Sequence, residues 1–383
     1  KLSRRFAWSG LDAHTLFRVL ARASEPEDAT VSEPWQKELK ALQSALRSDP
    51  DRDLQPYVDK DSDAQQLPFQ DIWLPFVDDA VARLCDSLTD VQTRSCEDTA
   101  FQALGQSLLS RLCNVSEEVL FEQFNMMRSP GVMLLAHLGA GGDGEGPPVR
   151  EYYQRFVRQH RADGLEGLLE NFPVLGRYLG LVCLQWRESN ERMLRKIYTD
   201  VDPLQQTFGI NPNSALIDIK QGLSDPHNGG QVVSVLTFAT PNGDSTSRLV
   251  YKPKDMRVDL AYQQALEHLN RNSELTPLQS LSIHCGDGYG YMEFVEHRLC
   301  TGDDELKLFY RNAGRLTAVL YFFGCTDCHY ENLIACGDQL LLIDTETLLE
   351  ADLPDHIGDA SDHQTSLNQS DLQKRFQNSV LRS

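Results

Sequence analysis

No stretch of this sequence is both long enough and apolar enough to span a bilayer. The most apolar run, FPVLGRYLGLVCLQW, carries Arg177 and falls short of the roughly 20 residues that a spanning helix needs. Positive charge is scarce as well. Lys and Arg number 36 against 56 Asp and Glu, giving a net charge of −20. Such a surface repels nucleic-acid backbone and anionic membrane, so neither is a default partner. No signal peptide is visible, because KLSRRFAWSG has neither an initiator Met nor an apolar segment. There is no disulfide framework either. The nine cysteines are an odd number and scattered, which suits free thiols in a reducing cytoplasm. Internal repeats and long low-complexity tracts are absent. What remains is an ordinary hydrophobic fraction of 41% over 383 residues, enough for two to three domains with their own cores.

Residues 1–205 read as a large helical N-terminal region. Val174, Leu175, Tyr178, Leu179, Val182 and Trp186 recur at helical spacing after Pro173, a good helix-start residue. Further helices are expected in WQKELKALQSAL, PFVDDAVARLCDSL, FQALGQSLLSRL and YYQRFVRQHRADGLEGLLENF, and a loop in GAGGDGEGPP. The pattern changes near residue 206. QVVSVLTFAT and SRLVYKPK are β-type runs around the turn signal PNGD. DLAYQQALEHLN reads as a helix with Asp259 as its N-cap. LQSLSIHC and YMEFVEH read as two more strands. Residues 206–297 thus read as strand, strand, helix, strand, strand. Residues 298–383 open with a helix, LFYRNAGRLTAVLYFFG, followed by LIAC and QLLLI around the two-residue turn Gly337–Asp338.

Polar residues crowd the ends of that last hairpin. Asp327 and Asn332 precede it and Asp344 follows it. Phosphoryl transfer from ATP needs a carboxylate near the acceptor hydroxyl. It also needs an amide oxygen and a second carboxylate to hold Mg²⁺ against the phosphates. Protein kinases place the first two five residues apart in H-R-D-x-x-x-x-N, followed by a hairpin and the metal aspartate. Asp327 and Asn332 are also five apart, and Asp344 lies twelve further on. D-F-G is absent, replaced by IDTET. G-x-G-x-x-G is absent too, and DPHNGGQVV offers only Gly229 and Gly230. Upstream, Lys252 ends the SRLVYK run, Glu267 in the next helix is expected as its partner, and YMEF stands where an adenine-contacting hinge would be. His329 gives the form D-x-H-x-x-N, nearer to lipid kinases than to H-R-D. Asp225 and His227 are two ionisable groups that kinase chemistry alone leaves unexplained.

Taken together, DPHNGG, LVYKPK, YMEF, the Gly314-Arg315-Leu316 helix, TDCHYENLIACGDQLLLIDTETLL and SVLRS resemble the dehydratase domain of class II lanthipeptide synthetases of the LanM type. Weaker similarity covers PFQDIWLPFVDDAVARL and GLLENFPVLGRYLGLVCLQW up to TDVDPL. The resemblance implies an α+β fold, with a lipid-kinase-like bilobal catalytic domain behind the helical N-terminal region. It implies a cytoplasmic enzyme that uses ATP and Mg²⁺ to phosphorylate Ser and Thr of a precursor peptide, a leader plus a Ser/Thr/Cys-containing core. The phosphate is then eliminated to give dehydroalanine or dehydrobutyrine.

Carried over residue by residue, the resemblance gives Asp327 the deprotonation of the hydroxyl and His329 the support of that site. Asn332 and Asp344 would bind Mg²⁺, with Glu346 close by. Lys252, Glu267, Glu293 and Phe294 would contact ATP, with Lys252 later meeting the leaving phosphate. Asp225 and His227 would serve elimination. Both ends of the chain look cut, so the C-terminal part of the kinase-like lobe is expected beyond Ser383. An Arg and a Thr used for elimination and a Zn²⁺ cyclase are expected there as well.

Plainer readings stand beside these. Asp344 as a strand-end cap and Asn332 as a turn residue are ordinary alternatives, outweighed by the ordered combination. Cys325 and Cys328 form CxxC, but no second pair stands at zinc-finger spacing, so small thiols beside a catalytic loop are expected. Two other readings of the whole stay open. One is a plain kinase of a lipid, small molecule or protein, without elimination. The other is a degenerate kinase-fold binding module, against which Lys252, Asp327, Asn332 and Asp344 together speak.

Overall fold

The structure, a computed structural model, describes residues 33–52, 67–88, 96–127, 149–222 and 224–349. The fold is α+β. Helices α1 (Pro34–Ser48), α2 (Gln70–Ser87), α3 (Asp98–Met127), α4 (Val149–Asp163), α5 (Glu166–Asn171), α6 (Pro173–Thr199) and α7 (Val201–Phe208) come first. Strands β1 (Ala215–Lys220), β2 (Ser234–Ala239) and β3 (Thr246–Lys252) follow, then α8 (Arg257–Arg271), β4 (Ile283–Cys285), β5 (Gly290–Glu293), α9 (Asp303–Phe322), β6 (Leu333–Cys336) and β7 (Gln339–Leu342). Two compact units are each assembled from two stretches, residues 1–76 with 111–184 and residues 77–110 with 185–383. Among the described residues no helix is long and apolar enough to cross a membrane.

In the first unit, Pro34 opens α1, and the Gln36 side chain reaches back to the Glu33 N–H at 3.0 Å, closing a capping box. The run expected as one helix, YYQRFVRQHRADGLEGLLENF, is two. Gly164 and Leu165 both take φ +63°, and the Leu165 N–H donates to Asp163 Oδ1 at 2.7 Å, ending α4 before α5 begins. Phe69, Phe124, Tyr153 and Phe156 form the aromatic part of the core, with ring centroids 5.4–6.2 Å apart. Arg161 is fully buried there and is satisfied by backbone. Its guanidinium donates to Asp71 O and to Arg52 O. The loop expected in GAGGDGEGPP lies outside the described residues.

The second unit is built on a five-stranded antiparallel sheet in the order β1-β2-β3-β5-β4. β1 is a strand the sequence reading did not anticipate. A register shift between Leu216 and Asp218 breaks its alternation, so ALIDIK carries a weak period-two signal. α8 begins at Arg257 with Met256 at the N-cap. Asp259, expected to cap it, sits inside the first turn and is buried. α9 presents Asn312, Leu316 and Leu320 as its buried stripe. Leu316 and Leu320 join Tyr262 and Leu266 of α8 and Leu342 of β7 in one core cluster. A second cluster packs Leu341 against Met256, Ile283 and Met292. The β6–β7 hairpin is thereby seated on both α9 and the sheet.

Candidate functional site

The hairpin forms in the register its turn signal demands. Gly337, at φ +60°, and Asp338 make the turn, Cys336 pairs with Gln339, and Leu333 with Leu342. One step further the Ile343 N–H donates to Asn332 O at 2.9 Å, so Asn332 lies across from the neighbour of Asp344. Tight antiparallel pairing thus brings together residues twelve apart in sequence.

The loop before β6 is organised around Asp327. Asn332 Nδ2 donates to Asp327 Oδ2 at 3.0 Å and to its backbone oxygen at 3.1 Å. His329 Nε2 lies 3.3 Å from Asp327 Oδ1. The Glu331 N–H donates to His329 Nδ1 at 3.1 Å. A backbone N–H can only donate, so Nδ1 carries the lone pair and the ring proton belongs on Nε2, facing the carboxylate. Thr347 Oγ1, from beyond the hairpin, accepts from the Asp327 N–H at 3.2 Å. Both carboxylate oxygens and the main chain of Asp327 are therefore fixed.

Lys252 is 5% exposed at the end of β3. Its Nζ donates to Ile343 O and lies 3.7 Å from Asp259 Oδ1. Burial pushes the Lys252 ammonium down and the Asp259 carboxyl up, and each partly restores the other through its charge. The partner expected in Glu267 is thus Asp259. Glu267 lies exposed on α8, because the first turn of that helix, not its third, faces the end of β3. Two residues on, Lys254 donates to Asp344 Oδ1 at 2.9 Å and to Glu346 Oε1 at 2.8 Å. Burial alone would raise Asp344, but the Lys254 hydrogen bond and charge outweigh it and hold the carboxyl below its ordinary value. Lys254 itself loses to burial and gains more from these two acceptors, so it is raised.

Lys252, Lys254, Asp344 and Glu346 line one cavity of about 300 Å³, together with Ser224, His227, Asn228, Gln231, Val233 and Pro253. Of the residues singled out in the sequence, His227, Lys252, Asp344 and Glu346 meet there, whereas Asp225, Glu267, Glu293, Phe294, Asp327, His329 and Asn332 do not line it. His227 is held by a two-way backbone pairing with Gln231 at 2.9 Å, around a turn in which Asn228, Gly229 and Gly230 all have positive φ. Asp225 is exposed on the same loop. Glu293 Oε2 accepts from the Ser282 N–H at 3.1 Å, tying β5 to the chain before β4. The Arg248 guanidinium lies 4.1 Å from the Phe294 ring centroid. Lys254, Asp259 and Thr347 are site residues the sequence reading missed. For Lys254 a signal existed, since Lys-Pro-Lys at the end of a strand points two ammoniums the same way.

Among the described residues no group of three or more His, Cys, Asp or Glu side chains is placed to hold a metal ion. The Cys328 thiol donates to Cys325 Sγ at 2.7 Å, which lowers Cys325 and raises Cys328. What the site does offer is hard oxygen. With its Nδ2 committed to Asp327, Asn332 keeps its amide oxygen for another partner, at the hairpin end opposite Ile343. Two carboxylates and an amide oxygen suit Mg²⁺, which takes few protein ligands and keeps its waters.

The family described as "Domain of unknown function (DUF4135)" matches residues 172–383, more than half of the chain. The chain is also similar to the Lacticin 481/lactococcin biosynthesis protein LcnDR2 of Lactococcus lactis subsp. lactis, at 25% identity over 213 residues, 53% of this chain. That match covers 22% of the length of the relative.

Proposed function

This chain belongs to the DUF4135 family, and on that premise we propose that it acts in lanthipeptide biosynthesis, as the dehydratase of a class II synthetase. The observation that carries the proposal is the convergence of His227, Lys252 and Lys254 on Asp344 and Glu346 in one cavity, one hairpin end away from the doubly held Asp327. The substrate is a precursor peptide and the phosphate donor is ATP. The sheet of residues 206–297 is the smaller, kinase-like lobe, and residues 298–383 begin the larger one.

Asp327, oriented by His329 and Asn332, accepts the proton of a Ser or Thr hydroxyl as that oxygen bonds to the γ-phosphorus of ATP and the bond to the bridging oxygen breaks, ADP leaving with its electron pair. Asn332, Asp344 and Glu346 would hold Mg²⁺, which when bound would neutralise charge on the phosphates. Lys252, fixed by Asp259, supplies a buried positive charge toward the same phosphates, and Glu293 and Phe294 belong to the adenine side. In the second reaction a base removes the α-proton of the phosphorylated residue, its electron pair becomes the Cα–Cβ double bond, and phosphate leaves with the C–O pair. Asp225 and His227 are assigned to that step, and the two lysines stabilise the departing phosphate.

Mass spectrometry of a candidate precursor peptide incubated with the full-length enzyme, ATP and Mg²⁺ tests this. Loss of one water per modified Ser or Thr is the expected outcome. Stable gain of phosphate instead indicates a plain kinase, and no change with any peptide rejects both. The variant His227→Ala is expected to accumulate phosphopeptide. If it abolishes phosphorylation, the division of labour is wrong.

A further inference from the structure

Lys254 does something that the roles above leave unused. Its single ammonium bridges Asp344 Oδ1 at 2.9 Å and Glu346 Oε1 at 2.8 Å. The Glu346 N–H donates to the same Asp344 oxygen at 3.2 Å, which closes a compact ring of contacts across the turn. Two carboxylates this close repel one another unless a cation lies between them. Lys252 makes its ion pair with Asp259 and reaches Asp344 only through its charge, whereas Lys254 touches both carboxylates. Lys254 also faces the cavity that holds His227.

The charges explain why such a residue is useful. Asp344 and Glu346 bring two negative charges and Lys254 one positive, leaving the group at minus one. A divalent cation taking the same two carboxylates would cancel them and leave the Lys254 charge uncommitted, facing the cavity where an anionic phosphate is to bind. An ammonium on a flexible four-carbon stem can leave its partners without moving the backbone.

We propose that Lys254 is a positioning residue that acts as a resident counter-cation: it holds Asp344 and Glu346 in place and competes with the divalent cation for them. The inference rests on the assignment of those two carboxylates to Mg²⁺. It makes metal affinity, and not only catalysis, depend on a lysine that is no metal ligand.

The test is binding of Mn²⁺ alone, without nucleotide or peptide, to the full chain, followed by electron paramagnetic resonance of the free ion. Because one ammonium shared by both carboxylates is removed, Lys254→Met is expected to bind Mn²⁺ about fivefold more tightly than the unaltered protein, which is roughly 1 kcal/mol. Lys254→Arg, which keeps the charge, should stay within about twofold. Lys254→Gln repeats the measurement should the Met variant not fold. Unchanged or weaker Mn²⁺ binding by the charge-removed variants overturns the inference while leaving the metal assignment intact, provided that Asp344→Asn weakens binding. If Asp344→Asn has no effect, or if no protein binds Mn²⁺, the metal assignment and this inference fall together.

Discussion

Lys252 and Asp259 are a buried pair whose side chains are 6% and 4% exposed. Removing one partner strands the other charge away from water, which costs about 3–5 kcal/mol, whereas replacing both by apolar groups is close to neutral. Asp259→Ala should therefore lower the urea midpoint more than the double variant Lys252→Met/Asp259→Leu. Equal losses would mean that the pair is not coupled. The place of Lys252 at a strand end before a helix was legible in the sequence. Its partner was not, because Asp259 looks like a cap until the helix is seen to begin two residues earlier, at Arg257. The Lys254 pair makes a pH prediction. The Asp344 carboxyl is held below its ordinary value, so its contribution to stability is present above the unfolded carboxylate range near ~3.9 and lost as pH falls through the lower folded value. Lys254 is raised, so its contribution is full below about 10.4 and lost only above its folded value. The stability difference between the unaltered protein and Lys254→Met should be flat from pH 6 to 9 and shrink below about pH 4. A difference that grows on acidification would contradict the ion pair.

At the scale of elements, two devices set the site: the β6–β7 hairpin and the turn after His227. The hairpin was readable because Gly337–Asp338 falls between two short apolar runs, and a two-residue turn leaves one register. The turn was readable only as a pair of glycines. In the structure these differ sharply. Gly229 has φ +82° and open space where a Cβ would go, whereas Gly230 has φ +83° and would place its Cβ 2.6 Å from the Gln185 Cβ. Gly229→Ala should cost only the left-handed backbone penalty, about 1–2 kcal/mol. Gly230→Ala should cost clearly more by urea unfolding and should weaken elimination more than phosphorylation, since the loop it distorts carries His227. Equal effects of the two substitutions would rule out the close approach to Gln185. β1 was missed for a physical reason of the same kind, as its bulge destroys the period on which strand reading depends.

For the whole molecule, each compact unit draws on two separated stretches of chain, a pattern that composition along the sequence cannot express because contacts close it and not local signals. The net charge of −20 belongs to this scale too and argues against a polyanion as partner. We propose that Asp327 and Asp344, at the two ends of one hairpin, form a phosphoryl-transfer centre. Its most direct measurement is transfer of labelled γ-phosphate from ATP to a Ser/Thr peptide, scored as phosphopeptide plus dehydrated product. Asp327→Asn and Asp344→Asn should each lower the rate by about 10²- to 10⁴-fold with the circular dichroism spectrum unchanged. Transfer at the unaltered rate by either folded variant would contradict the account.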